Sequence, residues 1–367
     1  MIGCAKLEGE VRSVRTAYPG MVPRELMCET MTTILAGDIG GTKCNLALFL
    51  KEGNHLRLAF QKRLATRDYT GFQDLLEHFL RQHSESEGSA VRPTVEAAAF
   101  GVAGVLAQGR LHSENLPWVL DIAELKRGLN LKEVILLNDL TATALSIDRL
   151  PPKDFVLLNQ GNPEHHTTRG VVAAGTGLGE AMLFWDGNQY RVAPSEAGQG
   201  DFAPRNEREI GLLRHLQSRL DHVSWEEIIS GRGFRRIHEF LDPSVRHLSF
   251  ESSEGSEGDS AGEITQKGLE KTCPICQETL AMWTEIYGAA AGNFALQSLA
   301  LGGIYIAGGI AVRILPKLQD GSFFQSFCGK GKLAPLLARI PISVLINEDA
   351  PVWGVAYQAL LSNDFRY

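Results

Sequence analysis

Ile34-Leu35-Ala36-Gly37-Asp38-Ile39-Gly40-Gly41-Thr42-Lys43-Cys44-Asn45-Leu46-Ala47-Leu48-Phe49 is an apolar run broken midway by a polar glycine turn. Val171-Val172-Ala173-Ala174-Gly175-Thr176-Gly177-Leu178-Gly179-Glu180-Ala181-Met182-Leu183-Phe184 repeats the arrangement in the second half of the chain. The apolar flanks read as strands, and glycine permits the reversal between them while letting backbone N–H groups approach an anion with no Cβ in the way. Thr42 and Thr176 add hydroxyl donors. Taken alone, either turn reads first as an ordinary hairpin. Occurring once in each half, the pair fits a duplicated α/β architecture with a polyphosphate gripped between facing turns, and neither matches the Walker loop or the dinucleotide fingerprint.

The chain's 367 residues allow two domains and a large core, and its 44% hydrophobic and 22% charged content is ordinary for a globular protein. A net charge of −7 argues against nucleic acid or an anionic membrane as partner, since both reward clustered Lys and Arg. No apolar run approaches the roughly 20 residues that span a bilayer, and the N-terminal residues lack the basic-then-apolar order of a secretory signal, so a cytoplasmic protein acting on small molecules is expected. The six cysteines are scattered, unlike a disulfide framework. Only Cys273-Pro274-Ile275-Cys276 has metal or redox spacing, and with no second Cys or His pair nearby it reads as two reduced thiols at the start of a helix.

Alternating apolar strands and amphipathic stretches suggest βαβ units: strands within 34–50, 95–102 and 134–137, a helix over 71–83 and another from about 141. The second half restarts with strands at 155–158 and 170–184, then helices at 207–220, 225–229 and 274–299, a strand at 342–346 and a closing helix at 353–361 that packs back on the first half. This gives a small α/β domain of residues 32–149 plus 350–367 and a large one of 150–349. Residues 1–30 have little periodicity and read as a loosely attached extension. The acidic stretch 249–262 reads as a flexible solvated loop.

Strand 134–137 ends in Asn138-Asp139, ahead of a helical stretch. One of the two is expected to cap that helix. Yet ligands of open α/β sheets sit at the carboxyl ends of strands, and an Asp there can accept the proton of an attacking hydroxyl while Asn138 orients its neighbours. Ser224-Trp225-Glu226-Glu227 is a capping box that claims Glu227 and leaves Glu226 free. Glu196, Glu226, Asn138 and Asp139 together are the carboxylates and amide that polyol recognition calls for. A third glycine turn, Gly302-Gly303-Ile304-Tyr305-Ile306-Ala307-Gly308-Gly309-Ile310, is either a plain turn or a close backbone approach to a nucleoside.

Asp38-Ile39-Gly40-Gly41-Thr42, Leu137-Asn138-Asp139, Ala174-Gly175-Thr176-Gly177-Leu178-Gly179, Asp201-Phe202-Ala203-Pro204, Ser230-Gly231-Arg232-Gly233 and Ile306-Ala307-Gly308-Gly309-Ile310 follow the order of motifs in bacterial-type glucokinases. The resemblance covers nearly everything after Met31. It implies an actin-like (ribonuclease H-like), duplicated two-domain fold closing over sugar and ATP, with phosphate passed to the sugar 6-hydroxyl. It further implies Asp139 as catalytic base; Asn115, Asn138, Glu196, Gln199 and Glu226 around the sugar; the residues Asp38, Ile39, Gly40, Gly41, Thr42 and Lys43 as the first phosphate loop; Gly175, Thr176 and Gly177 as the second; and Gly308 and Gly309 on the adenosine side. Mg²⁺ would be oriented by Asp38 through water, and homodimers are common among proteins resembling this one.

Where the family commonly has Glu-Gly-Gly-His, this chain has Glu196-Ala197-Gly198-Gln199, an amide in place of an imidazole. Discrimination at the anomeric end of the sugar is therefore open, and a kinase for another hexose or an N-acetylhexosamine stays a rival. Arg232 stands where Pro is frequent and reads as a tolerated loop change. A sugar-sensing regulator of the same fold would need a DNA-binding module, for which the residues before Met31 are too few and too weakly basic.

Overall fold

The computed structural model describes residues 32–364 apart from 54, 90, 92, 108, 114, 115 and 245–256. The strands are β1 (Thr33–Ile39), β2 (Lys43–Glu52), β3 (His55–Ala65), β4 (Ala97–Val102), the short β5 (Val105–Ala107), β6 (Arg110–His112) and β7 (Leu120–Asp121), then β8 (Val134–Leu137), β9 (Phe155–Asn159), β10 (Arg169–Ala174), β11 (Leu178–Trp185), β12 (Tyr190–Ser195), β13 (Ile304–Ala307) and β14 (Ile342–Leu345). One sheet runs β3-β2-β1-β4-β8 and another β12-β11-β10-β13-β14-β9. In each, a three-strand antiparallel meander is extended by two parallel strands on the side of its first strand, and in the second sheet β9 adds an antiparallel edge beyond β14. The same plan, built twice around a glycine turn in its first hairpin, is the duplicated architecture of the actin-like ATPases.

Period-two alternation sends opposite faces of each strand to different partners. In the first sheet, Leu35, Leu46 and Phe100 pack on Leu75, Leu76 and Phe79 of α1 (Phe72–Ser86), whereas Ile34, Ala36 and Phe49 face the other way. Helices α2 (Ile122–Leu129), α3 (Asp139–Ser146), α4 (Glu207–Gln217), α5 (Trp225–Ile228), α6 (Gly231–Leu241), α7 (Glu257–Leu269), α8 (Pro274–Ser298), α9 (Gly309–Arg313), α10 (Leu315–Leu318), α11 (Ser322–Cys328), α12 (Ala334–Leu337) and α13 (Ala350–Asp364) complete the chain. It is α13 that covers Ile34, Ala36 and Phe49, through Val352, Val355, Ala356 and Leu360. Helix α3 joins the sheets: Ala142 belongs to that cluster, while Ala144 packs with Val171, Ala181 and Leu183 of the second sheet. Gly354 lets α13 lie on α3, since a Cβ there would fall 1.8 Å from the Ala142 carbonyl oxygen.

On its other face the second sheet is covered by α8, whose Tyr287 hydroxyl donates to the Val172 carbonyl at 2.9 Å. The Cys273 thiolate or thiol sulfur caps this helix, accepting from the Cys276 amide at 3.4 Å, and both cysteines are buried. The acidic stretch departs from expectation. Residues 257–262 are the first turns of α7 rather than loop, because Ser260, Ala261 and Ile264 come around to the core; these positions carry too few large apolar side chains for the periodicity to show. Residues 249–256 and the extension 1–30 lie outside the described residues. Among the described residues no helix is long and apolar enough to cross a membrane.

Glu180 is the anomaly of the core. Leu178, Glu180 and Met182 share the face of β11 turned to α8, and Glu180 is 4% exposed. Burial pushes its carboxyl up to about 7 from an ordinary 4.5. Between those values the folded protein keeps a proton that the unfolded chain releases, so stability falls as pH rises from about 4.5 and levels off above about 7, by something on the order of 3 kcal/mol. Glu180→Gln removes this loss. We expect the variant to match the parent in thermal unfolding at pH 4.5 and to melt higher at pH 8; an equal offset at both values would show a normally ionising carboxyl.

Candidate active site

The strand β8 delivers Asn138 and Asp139 to the start of α3. Asn138 takes the cap: its Oδ1 accepts from the Leu140 amide at 2.9 Å and the Thr141 amide at 3.3 Å. That frees Asp139 from the structural task either residue could have filled. Asp139 Oδ1 accepts from the Leu140 amide at 2.9 Å, which occupies one oxygen of the two. Burial raises the proton affinity of this carboxyl and the amide bond opposes it, with a net upward shift.

Asp38 lies at the tip of β1, two strands from β8. The strand between them presents Gly101, paired with Asp38 on one side and Leu137 on the other. Lacking a side chain, Gly101 lets α3 approach, since a Cβ there would be 3.0 Å from Ala142 Cβ and 3.7 Å from Asp139 Cα. The two carboxylates consequently feel each other. Burial and then the charge of Asp139 lift Asp38 to about 6, against the pull of Lys43 and Arg63. The first glycine turn is pinned from β3's end: Thr66 Oγ1 donates to the Gly40 carbonyl at 2.6 Å and the Thr66 amide to the Thr42 carbonyl at 3.0 Å. Thr42 and Lys43 are exposed.

The second turn comes down beside the start of α3. Gly179, just beyond it, touches α3 so closely that a Cβ would fall 2.8 Å from Leu140 Cδ2. Neither turn uses left-handed backbone: of Gly40, Gly41, Gly175, Gly177, Gly308 and Gly309, only Gly308, in the third turn, lies in the region that favours glycine, with φ of 90°. What the glycines provide is room. A Cβ on Gly308 would sit 2.2 Å from the Ala174 carbonyl oxygen, so the β13–α9 turn is brought against the second loop, whereas a Cβ on Gly175 would meet nothing within 4 Å. The Gly231 amide donates to the Gly175 carbonyl at 2.9 Å and adds the Ser230-Gly231 segment to the same wall.

Glu226 departs from expectation. Ser224 caps α5 by accepting from the Glu227 amide at 3.4 Å, as the capping box predicts. Glu226, however, is not free: its Oε2 accepts from the Leu178 amide at 3.0 Å and its Oε1 from Arg232 Nη2 at 3.3 Å. Glu196 and Gln199, bracketing a short 3₁₀ turn after β12, are exposed. Asn115 lies outside the described residues.

The glucokinase family model matches residues 35–361, nearly all that the two sheets comprise. The chain belongs to the glucokinase family. A glucokinase of Nostoc punctiforme is 36% identical over 342 residues, covering 89% of this chain and 98% of that one. Among solved structures, glucokinase from an Antarctic psychrotroph superposes with a TM-score of 0.76 at 26% identity, covering 90% of this chain and 99% of that one. A glucokinase of Balamuthia mandrillaris, solved in complex with glucose, shares the fold with a TM-score of 0.72 at 20% identity over 91% and 95% of the two chains. Glucokinases are ATP-dependent hexose kinases, and that is the enzyme class of this chain.

One part of this glucokinase site has no counterpart in the motifs. Asp349, immediately before α13, accepts from Asn45 Nδ2 and from Arg63 Nη2, both at 2.8 Å, and Arg63 Nη1 reaches Glu348 at 2.9 Å. Burial disfavours the Asp349 charge, but Arg63 and Asn45 outweigh it and hold the group below its ordinary value. Asn45 lies on β2, which leaves the first glycine turn, and Arg63 on β3 beside it, so the network ties these two paired strands to the segment just ahead of α13. No local pattern announces it, since its partners are 304 residues apart.

The glycine at 308 gives a direct test of the turn packing. Gly308→Ala meets both the positive φ and the Ala174 carbonyl, and should cost about 1–3 kcal/mol. We expect a lowered melting temperature together with weakened binding of a non-hydrolysable ATP analogue; unchanged values of both would show that the turn has space to spare.

Proposed function

We propose that this chain phosphorylates glucose at the 6-hydroxyl at the expense of ATP, with Asp139 as general base. The observation that carries this is the division of labour at the head of α3: Asn138 caps the helix, and Asp139 stands released at a strand tip, with its neighbour Leu140 packed on Gly179 just beyond the second glycine turn. Its raised proton affinity suits a group that must take the proton of the sugar hydroxyl as that oxygen attacks the γ-phosphorus. Asn138, its carbonyl oxygen spent on the cap, keeps its NH₂ to donate to the sugar, while Glu196, Gln199 and Glu226 accept or share the remaining hydroxyls.

The nucleotide's phosphates lie between the two turns. Gly40, Gly41 and Thr42 serve from one sheet, Gly175, Thr176 and Gly177 from the other, and Gly308-Gly309 borders the nucleoside. Phosphoryl transfer rests on alignment and charge neutralisation, so two preorganised backbone loops supply most of what the reaction needs. The residues fit Mg²⁺ in a particular way. Among the described residues no group of three or more His, Cys, Asp or Glu side chains could hold a metal ion, and Mg²⁺ characteristically keeps several waters and is bound by one or two carboxylates plus substrate phosphates. Asp38, whose ionisation is opposed by burial and by Asp139, is the carboxylate that would orient it. Bound there, the ion would offset phosphate charge.

Two substitutions test the assignment. Asp139→Asn should keep glucose binding, measured by calorimetry, while turnover falls about 10²- to 10⁴-fold; near-normal kcat would remove Asp139 from the chemistry. Gln199→His should leave kcat nearly intact and lower KM for glucose, because it changes ground-state contact rather than the reacting centre. Identical KM values for glucose, mannose and glucosamine in parent and variant would place residue 199 away from the sugar.

A further inference from the structure

Among the described residues, Arg232 is the side chain that pairs with Glu226, one of the carboxylates assigned to the sugar. Its Nη2 lies 3.3 Å from Glu226 Oε1 and 3.9 Å from Glu227 Oε1, and its Nε is buried without an acceptor, so Glu226 supplies the hydrogen bond that holds the guanidinium. The other oxygen of Glu226 is spent on the second phosphate loop, through the Leu178 amide at 3.0 Å. The loop passes so close over this oxygen that a Cβ on Gly177 would be 2.5 Å from it. Behind Arg232, the Gly231 amide is bonded to the Gly175 carbonyl at 2.9 Å, and the Ser230 carbonyl accepts from buried Trp283 Nε1 at 3.3 Å. The backbone carrying Arg232 is thus fixed both to the loop and to α8.

We propose that Arg232 is a positioning residue that clamps Glu226 between the sugar pocket and the second phosphate loop, so that sugar and nucleotide bind as coupled ligands. This rests on the reading of Glu226 as a sugar-holding group. A carboxylate offers about four acceptor positions, and the clamp uses two, leaving two for sugar hydroxyls. A sugar that draws Glu226 into a defined orientation also fixes the Leu178 amide and with it residues 175–178; a nucleotide that orders the loop presents Glu226 already oriented. Linkage requires the coupling to act equally in both directions. The neighbouring Arg236 does a different task, pairing with Glu227 and donating to its backbone carbonyl within α5 and α6.

The test uses the full chain, Arg232→Gln, Arg232→Lys and, as a control for nearby charge loss, Arg236→Gln. For Arg232→Gln we expect glucose KM to rise about tenfold, the scale of one charged hydrogen bond, with kcat changed by less than about threefold. The ratio of glucose affinities with and without a non-hydrolysable ATP analogue should fall towards one, Arg232→Lys should recover part of it, and Arg236→Gln should leave it at the parent value. Amide hydrogen exchange over residues 175–178 should quicken in Arg232→Gln. That measurement needs neither substrate, so it decides the clamp even if the parent fails to phosphorylate glucose, a result that would instead sink the proposed function. Unchanged exchange, an unchanged coupling ratio, or a rise confined to the KM for ATP would each overturn the clamp, the last by assigning Arg232 to the phosphates.

Discussion

Two half-buried carboxylates at strand tips on either side of β4, Asp38 and Asp139, set the terms for the rest of this structure. Like charges in a shielded site oppose each other's ionisation, and the pair is held together only because the surrounding elements leave it no retreat. Gly101 supplies the proximity by having no side chain between the strands. Lys43 and Arg63 partly offset the repulsion at Asp38, and the Leu140 amide does so at Asp139. The Asp349 network fastens Arg63 where its charge is needed. The site is therefore poised for a ligand that brings positive charge with it and places a proton donor beside Asp139.

The twofold strand plan carries this pair to its counterpart. Each meander makes its first hairpin on a glycine turn, yet the two are secured differently. The first is stitched to Thr66, just past the third strand of its own meander, whereas the second is held by the Ser230-Gly231 segment and by Glu226, residues that follow it by some fifty positions. The first turn is consequently a local feature and the second a long-range one. Helix α3, which starts at Asn138-Asp139 and ends under the second sheet, is the mechanical link between them.

Much of this was legible from residues alone. The strand at 134–137 is found where the apolar run places it, and the turns at 40–42 and 175–177 are in the expected hairpins, because short-range alternation and glycine placement are local signals. The start of α7 was hidden, since small residues such as Ser260 and Ala261 bury without advertising a hydrophobic face. Glu226 was recognised as spared by the capping box, but its engagement with Leu178 and Arg232 depends on tertiary approach. Asp349 was missed for the same reason, its contacts with Asn45 and Arg63 being invisible to any window along the chain. The choice between Asn138 and Asp139 as cap, even-handed in the sequence, is resolved by geometry in favour of Asn138.

The return of α13 to the first sheet has a consequence for biogenesis. Ile34, Ala36 and Phe49 are synthesised about three hundred residues ahead of the side chains that shield them, Val352 to Leu360 among them with Trp353 edge-on to Phe49 at 4.7 Å. One face of the first sheet stays uncovered until α13 has been made, so that sheet cannot complete its core as its own strands are synthesised. The nascent chain must either shelter with a chaperone or wait, and a premature stop ahead of residue 350 would strip the finished first half of its cover while leaving every phosphate-loop motif intact.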